Sequence, residues 1–178
     1  MIKLKDLLSE VYNSYDFGCV MLDFDFPALR TFQRDIEPKD VYGQGTVIDT
    51  YGIVEEHHCT LLYGLHGEVT LKQVKDVLGA FEYGTYVAHN ASLFQQKEYD
   101  VFKFEIKGPN LKKINKALRK LPHTSTFKDY KPHMTIAYLK PGKGKKYVDL
   151  FEGLSYSLLP VSITYSRQDG FKHIIDIA

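Results

Sequence analysis

The sequence predicts an α+β fold, on three observations. Apolar residues recur at helical spacing in several segments, they alternate at strand spacing in others, and most of the connections between these segments are short. Leu4, Leu7, Leu8 and Val11 follow the i, i+3, i+4, i+7 pattern, so a helix is expected over residues 1–13, ending before the Asn13-Ser14 break. In FGCVMLDFDF, Val20, Leu22 and Phe24 share one strand face, while Cys19, Met21, Asp23 and Asp25 share the other. Pro27 then suits the first turn of a short helix carrying Leu29, Phe32 and Ile36.

Residues 37–50, with Pro38, Gly43 and Gly45, have no clear period and read as a loop long enough to form a flap. A strand over about 53–63 follows. Thr70 and Gln73 have the spacing of a capping box, and Leu71, Val74, Val77, Leu78 and Phe81 form one helical stripe behind it. Strands are expected near 84–94 and 99–107, the second alternating Phe102, Phe104 and Ile106 with Lys103, Glu105 and Lys107. Leu111, Ile114, Ala117, Leu118 and Leu121 make another helix whose apolar offsets match those of the helix from Leu71. Residues 131–139 read as a strand, and strands near 157–166 and 171–177 close the chain.

With 178 residues, 44% of them hydrophobic and 13% aromatic, the chain can bury a sizeable core as one domain over 1–178, or as two small lobes sharing a sheet system. No apolar run approaches the roughly 20 residues that span a bilayer, and the charged, periodic N-terminus is unlike a signal peptide. The expectation is a cytoplasmic protein with no membrane partner. Cys19 and Cys59 fall in strands and lack the spacing of a disulfide framework, so they read as buried thiols. The net charge of +1 conceals a split: residues 107–146 carry twelve Lys or Arg against the single acid Asp129. That segment would concentrate anions at any site it borders.

Two strands carry chemistry. HHCTLLYGL contains His58-Cys59-Thr60, and KPHMTIAYL contains His133-Met134-Thr135. Residues two apart on a strand point the same way, so each strand offers an imidazole and a hydroxyl on one face. Cys59, Leu61, Met134 and Ile136 point the other way. If the strands lie together, two histidines and two threonines converge. One neutral imidazole can then take a proton while a protonated one gives a proton to the leaving oxygen. The threonine hydroxyls can donate to phosphate oxygens as charge builds on them. His57 is expected to face away from this quartet.

The doubled His-x-Thr pattern resembles that of the 2H phosphoesterase superfamily, the LigT-like proteins, over most of the chain from about Phe17 to Ile177. YGIVEEHHCTLLYGLHGEVTLKQV and FKDYKPHMTIAYLKPGKG resemble in particular the branch common in tailed phages and labelled 2'-5' RNA ligase-like. One departure is His57, where a proline is usual, and the N-terminal helix reads as a branch-specific addition. The resemblance implies two pseudo-symmetric lobes of antiparallel sheet with outer helices around a central cleft. It also implies a metal-independent phosphodiesterase without a cofactor, with His58 and His133 as acid and base and Thr60 and Thr135 holding the phosphate. The implied substrate is a small cyclic nucleotide, or a cyclic oligonucleotide signal of bacterial immunity that a phage enzyme would destroy (anti-CBASS), placing the protein in the host cytoplasm. An RNA-processing 2',3'-cyclic phosphodiesterase or 2'-5' RNA ligase-like enzyme is the alternative, with RNA as partner. A non-catalytic protein that sequesters a nucleotide is a second.

Further substrate-binding candidates are Tyr12, Phe26 and Tyr130 as aromatic platforms, alongside Tyr42 and Tyr165. Lys131 and Lys140 are candidate cations, and the resemblance implies that Ser166 and Lys172 of the final strand pair contribute to the cleft. KPGKGKKY lacks the order of a phosphate loop and reads as an exposed turn with no obvious helix behind it. His57, His58 and His66 lack the companions that a metal site needs, so no metal is expected.

Overall fold

A computed structural model describes residues 16–43, 52–125, 127 and 129–177. The expected helix over 1–13, Tyr12 with it, and residues 44–50 of the expected loop lie outside these residues. Eight strands form one antiparallel sheet: β1 (Gly18–Phe24), β2 (His58–Leu65), β3 (Tyr86–Gln95), β4 (Asp100–Lys107), β5 (His133–Leu139), β6 (Ser155–Leu158), β7 (Pro160–Ser166) and β8 (Lys172–Asp176). Their order is β6-β3-β4-β5-β2-β1-β7-β8. The sheet thus divides into two four-stranded halves that meet where β5 pairs β2, at Cys59 opposite Met134.

Alternation places the core. Val20, Leu22, Cys59, Leu61, Phe102, Phe104, Met134 and Ile136 are all fully buried on one face of the sheet; each such side chain contributes about 1.5–3 kcal/mol by leaving water. The helices α1 (Pro27–Gln33), α2 (Leu71–Leu78), α3 (Leu111–Leu118) and α4 (Lys145–Asp149) accompany the sheet. The capping box is present, with the Gln73 amide donating to the Thr70 hydroxyl and the Thr70 amide donating to the Gln73 side chain. Val74 and Leu78 of α2 and Ile114 and Leu118 of α3 supply the buried stripes. The buried Asn115 amide donates to the Leu61 carbonyl at 2.6 Å, tying α3 to β2. Gly64 has φ of +115°, and a Cβ there would sit 1.9 Å from the Thr124 carbonyl oxygen, so no other residue fits this crossing of β2 and the segment after α3.

Several expectations need correcting. The strand expected over 157–166 is two strands: β6 pairs β3 in one half, and β7 pairs β1 in the other. The break falls at exposed Leu159, just before Pro160, which has no amide to donate and opens β7. The strand expected from residue 53 begins at His58, with Ile53 making only an isolated bridge to Ala137. Residues 38–40 of the expected loop form a 3-10 turn, and Val41 bridges Leu139. The turn read in KPGKGKKY does run into a helix, α4, whose Lys146 bonds Glu37 and Asp40.

Candidate functional site

The pairing of Cys59 with Met134 fixes the arrangement of the motif residues. Both side chains are fully buried, so the residues flanking them point to the opposite face. The antiparallel register sets His58 across from Thr135, and Thr60 across from His133. The two histidines therefore occupy diagonal corners of a quartet, roughly 7–8 Å apart at the backbone, with the threonines on the other diagonal. All four residues are partly exposed, whereas the alternate residues Cys59, Leu61, Met134 and Ile136 are buried.

Both imidazoles are held alike. His58 Nδ1 lies 3.0 Å from the Glu56 carbonyl oxygen, and His133 Nδ1 lies 2.8 Å from that of Lys131. A carbonyl only accepts, so Nδ1 carries the hydrogen in each ring and Nε2 is left for proton transfer. Burial pushes both histidines below their ordinary pKa, and the carbonyl contacts act against it. A charge on His58 lowers His133 further. A proton on one ring thus makes a second proton costlier, which favours one acid and one base.

The neighbouring strands differ. On one side Asp23 of β1 stands in register with His58, and Met21 with Thr60. Asp23 accepts hydrogen bonds of 2.8 Å from both Ser162 and Thr164 of β7. Burial raises its pKa, while these hydroxyls and His58 oppose the rise; in return the carboxylate raises His58. On the other side Glu105 of β4 stands in register with His133, and Lys103 with Thr135. Lys103 is 6% exposed; its ammonium donates to Ser92 at 2.9 Å and lies 4.3 Å from the centre of the Phe94 ring. Burial lowers its pKa, Glu105 raises it and Lys131 lowers it. Lys103 in turn lowers His133, whose ring meets Phe94 edge-on at 5.1 Å.

The other sequence candidates fall at varied places. Tyr130 donates to the Thr60 carbonyl at 3.1 Å and so braces β2 from below the quartet. Lys131 is exposed and lines a cavity of about 810 Å³ beside His133. Lys172 reaches Glu56 at 3.1 Å, beside the His58 backbone. Ser166 is buried on the cleft face, opposite Cys19 and one row beyond Thr164. Phe26 is corrected: it is 5% exposed and packed against Tyr156 and His57, leaving no face for a base. Lys140 is corrected too, since its ammonium is held by the Lys39 carbonyl at 2.7 Å, past the far end of β5. Tyr165 is 1% exposed and donates to the Val69 carbonyl. His57 is buried away from the cleft, with Nε2 3.2 Å from the Gln33 side-chain oxygen.

Sequence reasoning missed Asp23, Ser162, Thr164, Lys103 and Glu105 as site residues. The signal was present in their alternation, which put Asp23 and Lys103 opposite apolar strand faces. Among the described residues no group of three His, Cys, Asp or Glu side chains is placed to hold a metal ion, and no helix is long and apolar enough to cross a membrane.

The architecture, an α+β fold in which two like halves of a curled sheet meet at a shared polar cleft, agrees with the one that the sequence resemblance implies. It is shared with a solved structure of Kluyveromyces marxianus Usb1, at 10% sequence identity and a TM-score of 0.54, covering 92% of this chain and 99% of that one. The structure of the same Usb1 with uridine monophosphate gives 9% identity and a TM-score of 0.55, covering 92% of this chain and 100% of that one. Escherichia coli LigT complexed with 3'-AMP is 17% identical over 92% of this chain and 96% of that one, with a TM-score of 0.45. No protein-family model and no curated protein sequence matches the chain.

Proposed function

We propose that the protein is a phosphodiesterase that cleaves a small cyclic nucleotide or a cyclic oligonucleotide by acid-base catalysis from its two histidines. The observation that carries this reading is the register at Cys59 and Met134, which sets the four motif side chains as two diagonals on one face. A phosphate held by the Thr60 and Thr135 hydroxyls lies between the imidazoles, so one can act on the attacking oxygen and the other on the leaving oxygen.

The unequal neighbours favour one division of the roles. The Lys103 cation works against a proton on His133, which is taken as the base. The Asp23 carboxylate works against burial and Lys172 to keep a proton on His58, which is taken as the acid. Nε2 of His133 takes the proton from the nucleophile, which is water for a 2',3'-cyclic phosphate and the adjacent 2'-hydroxyl for a 3'-5' diester. As the new P–O bond forms, the bond to the leaving oxygen breaks, and Nε2 of His58 donates its proton to that oxygen. The Lys103 ammonium, held by Ser92 over the Phe94 ring that meets His133, offers positive charge on the His133 side to the phosphoryl oxygens. Acid and base contribute about 10²- to 10⁴-fold each, so this chemistry calls for no metal.

The cyclic oligonucleotide substrate and a phage counter-defence role rest on the sequence resemblance alone. The test is incubation of the purified protein in excess EDTA with a 2',3'-cyclic mononucleotide and a panel of cyclic di- and trinucleotides. Cleavage of at least one, abolished in His133→Ala, is expected. Survival of every substrate overturns the reading, and so does full activity in His133→Ala.

A further inference from the structure

We propose that the cavity beside His133 is a subsite for a second phosphate, so that the preferred substrate is a nucleotide carrying at least two phosphates rather than a cyclic monophosphate. This rests on the phosphodiesterase reading and narrows its substrate class.

The cavity, at about 810 Å³, lies within the usual range for small-molecule sites and runs from His133 to the start of α3. Lys103 stands at the quartet end of it. Lys107, Lys112, Lys113 and Lys131 line it further out, and Glu105 is the one carboxylate on its wall. Among the described residues none of these four lysines forms an ion pair, whereas Lys72, Lys145, Lys146 and Lys172 each have an acidic partner.

The contrast is sharpest between the two helices of matching pattern. On α2, Lys72 is paired with Asp76 one turn on, at 2.6 Å. On α3 the corresponding residues are Lys112 and Lys116, so the like charges repel. One scissile phosphate is already met by Lys103, two threonine hydroxyls and a protonated histidine. That leaves four cations around an open cavity with one carboxylate among them, and a second phosphate supplies the missing charge. His89 lines the same space.

Calorimetric titration of the wild-type protein with the four ribonucleoside 3',5'-bisphosphates and the matching 3'- and 5'-monophosphates tests this. For the preferred base, the bisphosphate is expected to bind at least about tenfold more tightly than either monophosphate, as befits one further phosphate group, with a charge of about −1.5 to −2, met by several partly solvated cations. In Lys112→Ala/Lys113→Ala that advantage falls to about twofold or less, while Lys72→Ala/Lys75→Ala on α2, with the same change in net charge, retains it. These lysines are exposed, so the variants fold. A bisphosphate no tighter than the monophosphates overturns the subsite, as does an advantage that survives in the α3 variant or is lost equally in the α2 variant. If phosphodiesters are cleaved but the bisphosphate has no advantage, the subsite alone fails. If no nucleotide binds and none is cleaved, the catalytic reading fails with it.

Discussion

The two halves of the sheet share one frame and differ in charge. Each brings a His-x-Thr strand to the centre, flanks it with a strand that sets a carboxylate beside the histidine, and backs the next row with a hydroxyl. Beside Thr60, however, stands Met21; beside Thr135 stands the buried Lys103. A symmetric frame holds a symmetric phosphate, but directional proton transfer needs the two imidazoles to differ. In the proposed mechanism Lys103 and the hydroxyl-bound Asp23 bias the two imidazoles in opposite directions, without altering the backbone that places the motifs.

The largest expected effect comes from removing either imidazole. His58→Ala and His133→Ala should each lower kcat/KM by at least about 10²-fold in steady-state assays, with the fold intact by circular dichroism. Lys103→Met should follow, with a loss of about 10²-fold, the scale of one lost donor at a developing oxyanion. Lys103→Arg should recover part of it. A Lys103→Met protein as active as wild type would remove the asymmetry from the mechanism.

Proton linkage separates the halves further. Both histidines lie below the ordinary value of about 6.5, so both limbs of the kcat/KM profile should fall on the acid side of it. The base must be neutral and the acid protonated. Losing Lys103 lets His133 rise, so Lys103→Met should move the acidic limb to higher pH. Losing the Asp23 charge lets His58 fall, so Asp23→Asn should move the alkaline limb to lower pH. Limbs that shift the other way would exchange the two roles.

The smallest effect concerns His57, whose pKa burial also lowers. The unfolded chain takes up protons first as pH falls through about 6.5, so His57, His58 and His133 all cost stability below that point. His57→Gln should flatten the decline seen by urea unfolding between pH 7.5 and 5.5, and should change activity little.

Much of this was legible because alternation on a strand is a strong signal. His58, Thr60, His133 and Thr135 declared their shared face, and the helices from Leu71 and Leu111 declared their common pattern. The pairing of β2 with β5 was not legible, since long-range register depends on the whole sheet; without it Asp23 and Lys103 remained ordinary strand charges. Phe26 shows the converse limit. An aromatic beside a proline reads equally as platform or core, and only the packing of Tyr156 and His57 around it decides. Lys140 looked like a rim cation by its nearness in sequence to His133, yet an extended strand of seven residues carries it roughly 23 Å away.

The most direct measurement of the central claim is kcat/KM for wild type, His58→Ala, His133→Ala and the double variant on one cleaved substrate in EDTA. If the imidazoles work as one acid-base pair, the double variant should lose scarcely more than either single one, because groups that act as a unit are not additive. Losses that multiply would mean that each histidine acts independently, and would contradict the paired mechanism.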